Sequence, residues 1–145
     1  MLKGNRVSRN QIMAIKEESV TDQKNSLTVC LDNILRHAGI TRNTEYDLAQ
    51  GKTAIQILEE NMTGVQVLDL SGCSLDAVLY YVNQDIPVLA ILEDGEAVLV
   101  TGFNEFNVVI MEPSTGKLYK KGMNDATTWF AENGNHFITY MRTEN

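Results

Sequence analysis

The sequence predicts an α+β domain, with helices in its N-terminal half and an antiparallel sheet in its C-terminal half. Apolar residues recur at helical spacing before about residue 85, and short β-rich runs separated by turn residues follow. The length of 145 residues fits one domain, because chains of this size bury roughly 70% of their extended surface. Segregation of helices from strands along the chain is typical of α+β domains.

Residues 1–21 are predicted to form an N-terminal arm or linker, and residues 22–145 the folded domain. The arm is polar and weakly periodic, so we expect at most a short helix near Asn10 to Lys16. It carries basic residues but no apolar core followed by a small-residue cleavage site. It therefore does not resemble a secretory signal.

The first helix is predicted to run through VCLDNILRHA. Ser26 or Thr28 is its expected cap, and Gly39 is placed to end it in the left-handed conformation. Its apolar side chains recur at helical spacing, at Val29, Cys30, Ile34 and Leu35. On this reading, Cys30 falls in the first turn.

The next elements follow from similar signals. Thr44 and Asp47 resemble a helix cap, and a second helix is predicted over residues 52–60. VQVLDL alternates, which indicates a short strand or an extended connection. Ser74 then caps a helix that ends before Pro87.

From Pro87 onward the pattern predicts an antiparallel meander. Four β-rich runs, PVLAIL, EAVLVTGF, VVIME and KLYKK, are separated by the turns EDG, NEFN and PSTG. A helix over about residues 124–131, Gly134 as its terminator and the strand HFITYM complete the chain.

Composition excludes several classes of function. The net charge is −7 and the basic residues are scattered, so nucleic acid is not expected as a partner. No apolar run approaches the ~20 residues of a membrane helix, so we expect a soluble domain without membrane contact of its own. Two cysteines do not form a disulfide framework, which favours the reducing cytoplasm.

Cys30 is the first candidate for chemistry. The N-terminal end of a helix offers unpaired N–H groups and a positive dipole end, and both favour a thiolate. A free cysteine within a helix is, however, also a common small core residue. Periodicity leaves both interpretations open.

The arrangement of the whole chain resembles the C39-type bacteriocin-processing cysteine peptidases and their papain-like relatives, over roughly residues 22–142. A cysteine opens a helix, further helices follow, and the later strands read PV, then VTGF, then a carboxylate before proline. The resemblance implies a papain-like fold. It also implies that Pro87 and Val88 open one strand, that Gly95 precedes the position of the family's catalytic histidine, and that Pro113 follows its aspartate.

Carried over residue by residue, the resemblance places Cys30 at the nucleophile position and Gln23 near the oxyanion-hole glutamine. Glu96 falls at the histidine position and Glu112 at the aspartate position. The family usually has Asp-Cys-Gly around its nucleophile, whereas this chain has Val29-Cys30-Leu31. Counting across the NEFN turn places Glu112 near Leu99, so the two glutamates need not touch.

These replacements predict a degenerate peptidase. A cysteine peptidase needs an imidazole that takes the thiol proton and later protonates the leaving amine. Glu96 cannot do both, and its charge would raise the pKa of a neighbouring thiol. We therefore expect a non-catalytic domain whose cleft binds a peptide or protein segment, as inactive relatives do when they dock substrates of transporters. The chain could be part of a larger multidomain protein.

Several alternatives stay open at this stage. His136 or a partner residue could serve as the base of an active cysteine peptidase, whereas His37 lies about 10 Å along the helix from Cys30. A purely structural module would bind no peptide. No cofactor or metal is expected, because Cys30, Glu96 and Glu112 alone are a weak ligand set. Three aromatic residues could line the groove or belong to the core, namely Trp129, Phe130 and Phe103.

Overall fold

The computed structural model describes residues 11–12 and 25–143. The elements in these ranges are β1 Gln11–Ile12, α1 Ser26–His37, α2 Glu45–Ala49, α3 Ala54–Asn61, β2 Val65–Asp69, α4 Leu75–Val82, β3 Val88–Ile91, β4 Ala97–Phe103, β5 Asn107–Glu112, β6 Lys117–Gly122, α5 Met123–Glu132 and β7 His136–Arg142. The predicted α+β fold is confirmed. An N-terminal helical half packs on an antiparallel sheet that is mostly C-terminal.

The strands form one sheet in the order β2-β7-β3-β4-β5-β6, and β1 pairs separately with β4. Every pairing is antiparallel, and β3 to β6 form the predicted meander. The helix expected over residues 10–16 is wrong at Gln11 and Ile12, because their backbone pairs with Phe103 and Gly102 instead. The rest of the predicted arm lies outside the described residues.

The sheet is covered by helices on both faces. All seven residues of β4 are buried, and alternate side chains of this strand join two different clusters. Val98 and Val100 pack with residues of α4 and α5. Ala97 and Leu99 pack with residues of α1 and α3. Because side chains alternate across a strand, these two clusters are the cores on opposite faces.

The start of α1 differs from the prediction. Asn25, rather than Ser26 or Thr28, is the cap: its Oδ1 accepts a hydrogen bond of 2.8 Å from the Leu27 N–H. The helix therefore begins with Ser26, and Cys30 lies in its second turn rather than its first. The helix ends at His37, and Gly39, the predicted terminator, follows with φ +88°.

The expected cap at Thr44 is also wrong. Thr44 precedes α2, but its side chain makes no capping hydrogen bond. Instead, its backbone N–H and its hydroxyl both donate to Oδ1 of Asp32, each at 2.8 Å. Asp47 pairs with Arg42 at 2.9 Å. A buried contact between α1 and the start of α2 thus replaces the local cap.

A register shift in the meander moves Glu112 by one residue from its expected place. Leu99 pairs with Met111, and the β4–β5 ladder is irregular between Val100 and Gly102. The extra residue in β4 is typical of a β-bulge. Continuing the ladder from Leu99 and Met111 sets Val98, rather than Leu99, beside Glu112.

Among the described strands, β5 is the one that pairs with β6, the outermost strand of the meander. Its sequence KLYKKG places Lys117, Lys120 and Lys121 along this edge of the sheet.

Candidate functional site

A cleft of about 300 Å³ opens where the N-terminal end of α1 meets the β3–β4 and β5–β6 turns. We call this cavity the cleft. The residues in its lining that matter for chemistry are Ser26, Asp94, Glu96, Glu112, Tyr119 and Trp129. Two of the predicted site residues, Glu96 and Glu112, are therefore brought together in one cavity. Cys30 is not part of its lining.

Glu96 is held at the end of the tight turn between β3 and β4. Its N–H donates to Oδ1 of Asp94 at 2.9 Å, and its carbonyl accepts from the Leu92 N–H at 2.7 Å. Gly95 supplies the positive φ, +87°, that this turn requires. The side chain of Glu96 is exposed and directed by the hairpin to the rim of the cleft.

Glu112 is the last residue of β5 and is half-buried. Its Oε1 accepts from the Ser114 N–H at 3.1 Å, and its carbonyl accepts from the Gly116 N–H at 2.7 Å. The carboxylate thus caps its own turn. After the larger effect of burial, its negative charge raises the pKa of both Cys30 and Tyr119.

The thiol of Cys30 lies in the core. Cys30 has 0% exposure and belongs to the cluster between α1, α3 and the sheet. Burial first, and the charge of Glu112 second, raise the pKa of this thiol well above its ordinary value. The expectation that the helix N-terminus would activate Cys30 is not met, because α1 begins four residues earlier and burial disfavours the charged form.

Native Cys30 is expected to resist alkylation by iodoacetamide at neutral pH, whereas the half-buried Cys73 reacts. Only transient opening would expose Cys30. Mass spectrometry of the two cysteine-containing peptides over a time course measures both rates. In denaturant the two rates should converge. Labelling of Cys30 as fast as Cys73 in the native protein would contradict its placement.

Ser26, rather than Cys30, lies in the first turn of α1. It is the first residue of α1, it lines the cleft, and its side chain is 8% exposed. Its Oγ accepts a 2.8 Å hydrogen bond from the N–H of Ala97, the first residue of β4. This bond joins the helix N-terminus to the strand that follows Glu96. The missed signal was Asn25, a preferred cap residue that makes the next residue the first of the helix.

The remaining predicted polar residues lie elsewhere. Gln23 falls outside the described residues. His37 Nε2 lies 3.1 Å from the carbonyl oxygen of Asp85. His136 Nδ1 lies 3.4 Å from Oγ of Ser71. Neither histidine lines the cleft, so within the described part of the chain no imidazole faces the carboxylates there.

The three candidate groove aromatics divide between cleft and core. Trp129 lines the cleft and is half-buried, with Nζ of Lys121 4.8 Å from its ring centroid. Phe103 and Phe130 are 1% exposed and belong to the core between the sheet, α4 and α5. Of these three aromatic residues, only Trp129 can therefore contact a molecule bound in the cleft.

Among the described residues, no group of three His, Cys, Asp or Glu side chains is arranged to hold a metal ion. In the same ranges, no helix is both long and apolar enough to span a membrane. The polar and aromatic side chains that the cleft offers are two serine hydroxyls, three carboxylates, a phenol and an indole.

Comparison with known proteins supports the fold but does not assign roles to the residues of the cleft. No protein-family model matches the chain, and no curated protein sequence matches it. The crystal structure of a candidate C39-like peptidase from Bacillus anthracis is similar, with a TM-score of 0.73 and 14% identity. The match covers 92% of this chain and 98% of that chain. The likeness shows a C39-peptidase-like fold for nearly the whole described domain.

Proposed function

We propose that this chain is a non-catalytic domain that binds an extended polypeptide segment in the cleft. The observation that carries the proposal is the set of groups lining it. Glu96 and Glu112, the residues that the resemblance to C39 peptidases places at the histidine and aspartate positions, line the cavity together with Ser26. The fold is retained and the cavity remains open. What differs is the chemistry of the side chains.

Among the described residues, the cleft contains no imidazole, which serine and cysteine peptidases ordinarily use as the base. A serine hydroxyl needs a base that accepts its proton and later returns it to the leaving amine. A carboxylate is a weaker base than the imidazole that ordinarily fills this role. The carboxylates also oppose the negative charge that develops on the carbonyl oxygen during attack.

An active cysteine peptidase is the alternative that the sequence left open. It requires Cys30 at the cleft, and the full burial of that side chain opposes it. Cys30 lies one helical turn beyond Ser26, on the same side of α1 but inside the core. A substrate carbonyl in the cleft would meet the hydroxyl of Ser26 before it could reach the thiol.

The charge of the cleft indicates which polypeptides it accepts. Asp94, Glu96 and Glu112 line it, and none of them forms a salt bridge with another described residue. The lining also includes the aromatic side chain of Trp129. An extended segment with a Lys or Arg side chain complements such a surface, because opposite charge steers association.

Selection of a random phage-displayed peptide library on the protein tests the proposal. We expect enrichment of sequences with at least one Lys or Arg, and fluorescence anisotropy then gives their dissociation constants. Glu96→Gln, which keeps the shape of the side chain, should weaken binding about threefold, the size of one partly exposed ion pair. Glu105→Gln, an exposed change in the β4–β5 turn, should leave binding unchanged.

Two results would contradict the proposal. If no sequence is enriched, the chain is better explained as a structural module. If enriched peptides bind Glu96→Gln and the unmodified protein equally well, they bind outside the cleft. Covalent labelling of Ser26 by a fluorophosphonate would instead show a nucleophilic hydroxyl and favour a hydrolase.

A further inference from the structure

A second cavity lies away from the cleft, at the other end of α1. It has a volume of about 600 Å³ and is bounded by the residues after α1, the α3–β2 loop and the end of β7. We call it the Arg142 cavity. Its volume is in the range of ~300–1,000 Å³ that is usual for small-molecule sites. Neither the predicted site residues nor the proposed peptide binding involves it.

The hydroxyl group of Tyr140 has no partner in this cavity. Tyr140 is 2% exposed, and its ring packs in the core with α1 and α3. Its hydroxyl forms no hydrogen bond with the described residues, although the side chain lines the cavity. The hydroxyl oxygen is not one of the buried polar atoms that lack a partner, so it is accessible from the cavity. A ligand that brings a hydrogen-bond acceptor into the cavity can therefore accept a hydrogen bond from it.

Arg142 supplies a cation beside this hydroxyl. Tyr140 and Arg142 are two residues apart in β7, so their side chains leave the same face of the sheet. One guanidinium nitrogen, Nη1, donates a long hydrogen bond of 3.3 Å to the carbonyl of Gln84. Arg142 forms no salt bridge with any described carboxylate. Its remaining N–H groups suit the two oxygens of a carboxylate.

The nearest negative groups do not cancel this charge. Asp85 is exposed and lies 3.6 Å from Nε2 of His37. Burial raises the pKa of Tyr140, and of the two charges that act on it, Arg142 has a larger effect than Asp85. The carbonyls of Arg36 and Leu35 at the end of α1 already accept hydrogen bonds from Gly39 and Ile40.

We propose that the Arg142 cavity binds an organic acid with a short apolar body. The carboxylate pairs with the guanidinium of Arg142 and accepts a hydrogen bond from the hydroxyl of Tyr140. The apolar body lies against Ile40, Met62 and Val65, which line the same cavity. Such a carboxylate could belong to a free acid or to the C-terminal residue of a polypeptide, and both present the same chemistry.

Titration of the ¹⁵N-labelled full chain with hexanoate, followed by NMR, tests the proposal. Hexanamide has the same size and no charge, so it is the matched control ligand. We expect saturable shifts at Gly64, Arg142 and their neighbours with hexanoate, and binding of hexanamide about tenfold weaker or less, the usual effect of losing a charge-assisted hydrogen bond. Equal shifts with both ligands would overturn the proposal.

Two substitutions separate binding from folding. Arg142→Gln should weaken hexanoate binding about tenfold, and Tyr140→Phe, which removes only the hydroxyl, about threefold or more. Neither change should alter the spectrum outside the cavity, because Arg142 is exposed and phenylalanine keeps the ring of Tyr140 in place. Unchanged hexanoate affinity in a well-folded Arg142→Gln variant would overturn the proposal. Glu96→Gln in the cleft should leave hexanoate binding unchanged, so the two proposed sites fail or succeed independently.

A final pair of ligands identifies the source of the carboxylate. Acetyl-Gly-Leu has a free C-terminal carboxylate, and its amide lacks one. Tighter binding of acetyl-Gly-Leu than of hexanoate would support the C-terminus of a polypeptide. The reverse order would support a free acid. Absence of saturable binding by both carboxylates would overturn the proposal for either source.

Discussion

The double variant Ser26→Cys/Glu96→His is expected to carry a thiol at position 26 whose pKa is about one to three units below that of the single variant Ser26→Cys. Ser26 lies at the start of α1, and its Oγ binds the Ala97 N–H directly after Glu96. An imidazole at position 96 would be cationic beside the new thiolate and would stabilise it. The rate of alkylation at residue 26 as a function of pH gives the pKa in both variants.

Three features allow the pKa of the thiol at position 26 to be compared directly between the single and double variants. Cys30 is buried and Cys73 lies in another part of the chain, so mass spectrometry resolves all three thiols and Cys73 is an internal standard. Glu112 remains to orient the new imidazole. If the single and double variants titrate together, residue 96 does not face residue 26, and the interpretation of the cleft as an altered peptidase site is wrong.

Asp32→Ala is expected to lower the free energy of unfolding by about 2–5 kcal/mol. Asp32 is 7% exposed and Thr44 is 0% exposed. The carboxylate accepts both the N–H and the hydroxyl of Thr44, each at 2.8 Å. Its removal leaves two buried donors without their acceptor. Chemical denaturation monitored through the fluorescence of Trp129 measures the loss.

Glu45→Ala is the matched control, because Glu45 is exposed and lies directly after Thr44. It should change the free energy of unfolding by no more than about 0.5 kcal/mol. A loss of the same small size in Asp32→Ala would show that water replaces the carboxylate at Thr44. It would then follow that the link between α1 and α2 contributes little to stability.

Periodicity was sufficient to predict the α+β class of the fold. The apolar positions of α1 and α4 and the four runs of the meander follow from local pattern, and Gly39 and Ser74 end or begin helices where expected. These signals depend on neighbours in the chain. The role of Asp32 does not, because its partner Thr44 lies twelve residues away on another element, and no local pattern indicates that contact.

The candidate site was predicted in part, for a similar reason. The resemblance placed Glu96 and Glu112 at the histidine and aspartate positions, but counting along the strands left open whether the two side chains approach each other; both line the cleft. Cys30 was singled out for the reactivity of its residue type, while the true start of α1 depends on whether Asn25 or Ser26 acts as the cap. Both are good caps, and Ser26 in the cleft lies one helical turn before Cys30 in the core.

The lysines of β6 have a consequence for association between copies of the chain. No second described strand pairs with β6, and the edge of a sheet invites another chain to extend it. Lys117, Lys120 and Lys121 lie along it. A second copy approaching this edge would bring its own lysines against them, and their mutual repulsion and the loss of their hydration would disfavour growth of the sheet in this direction.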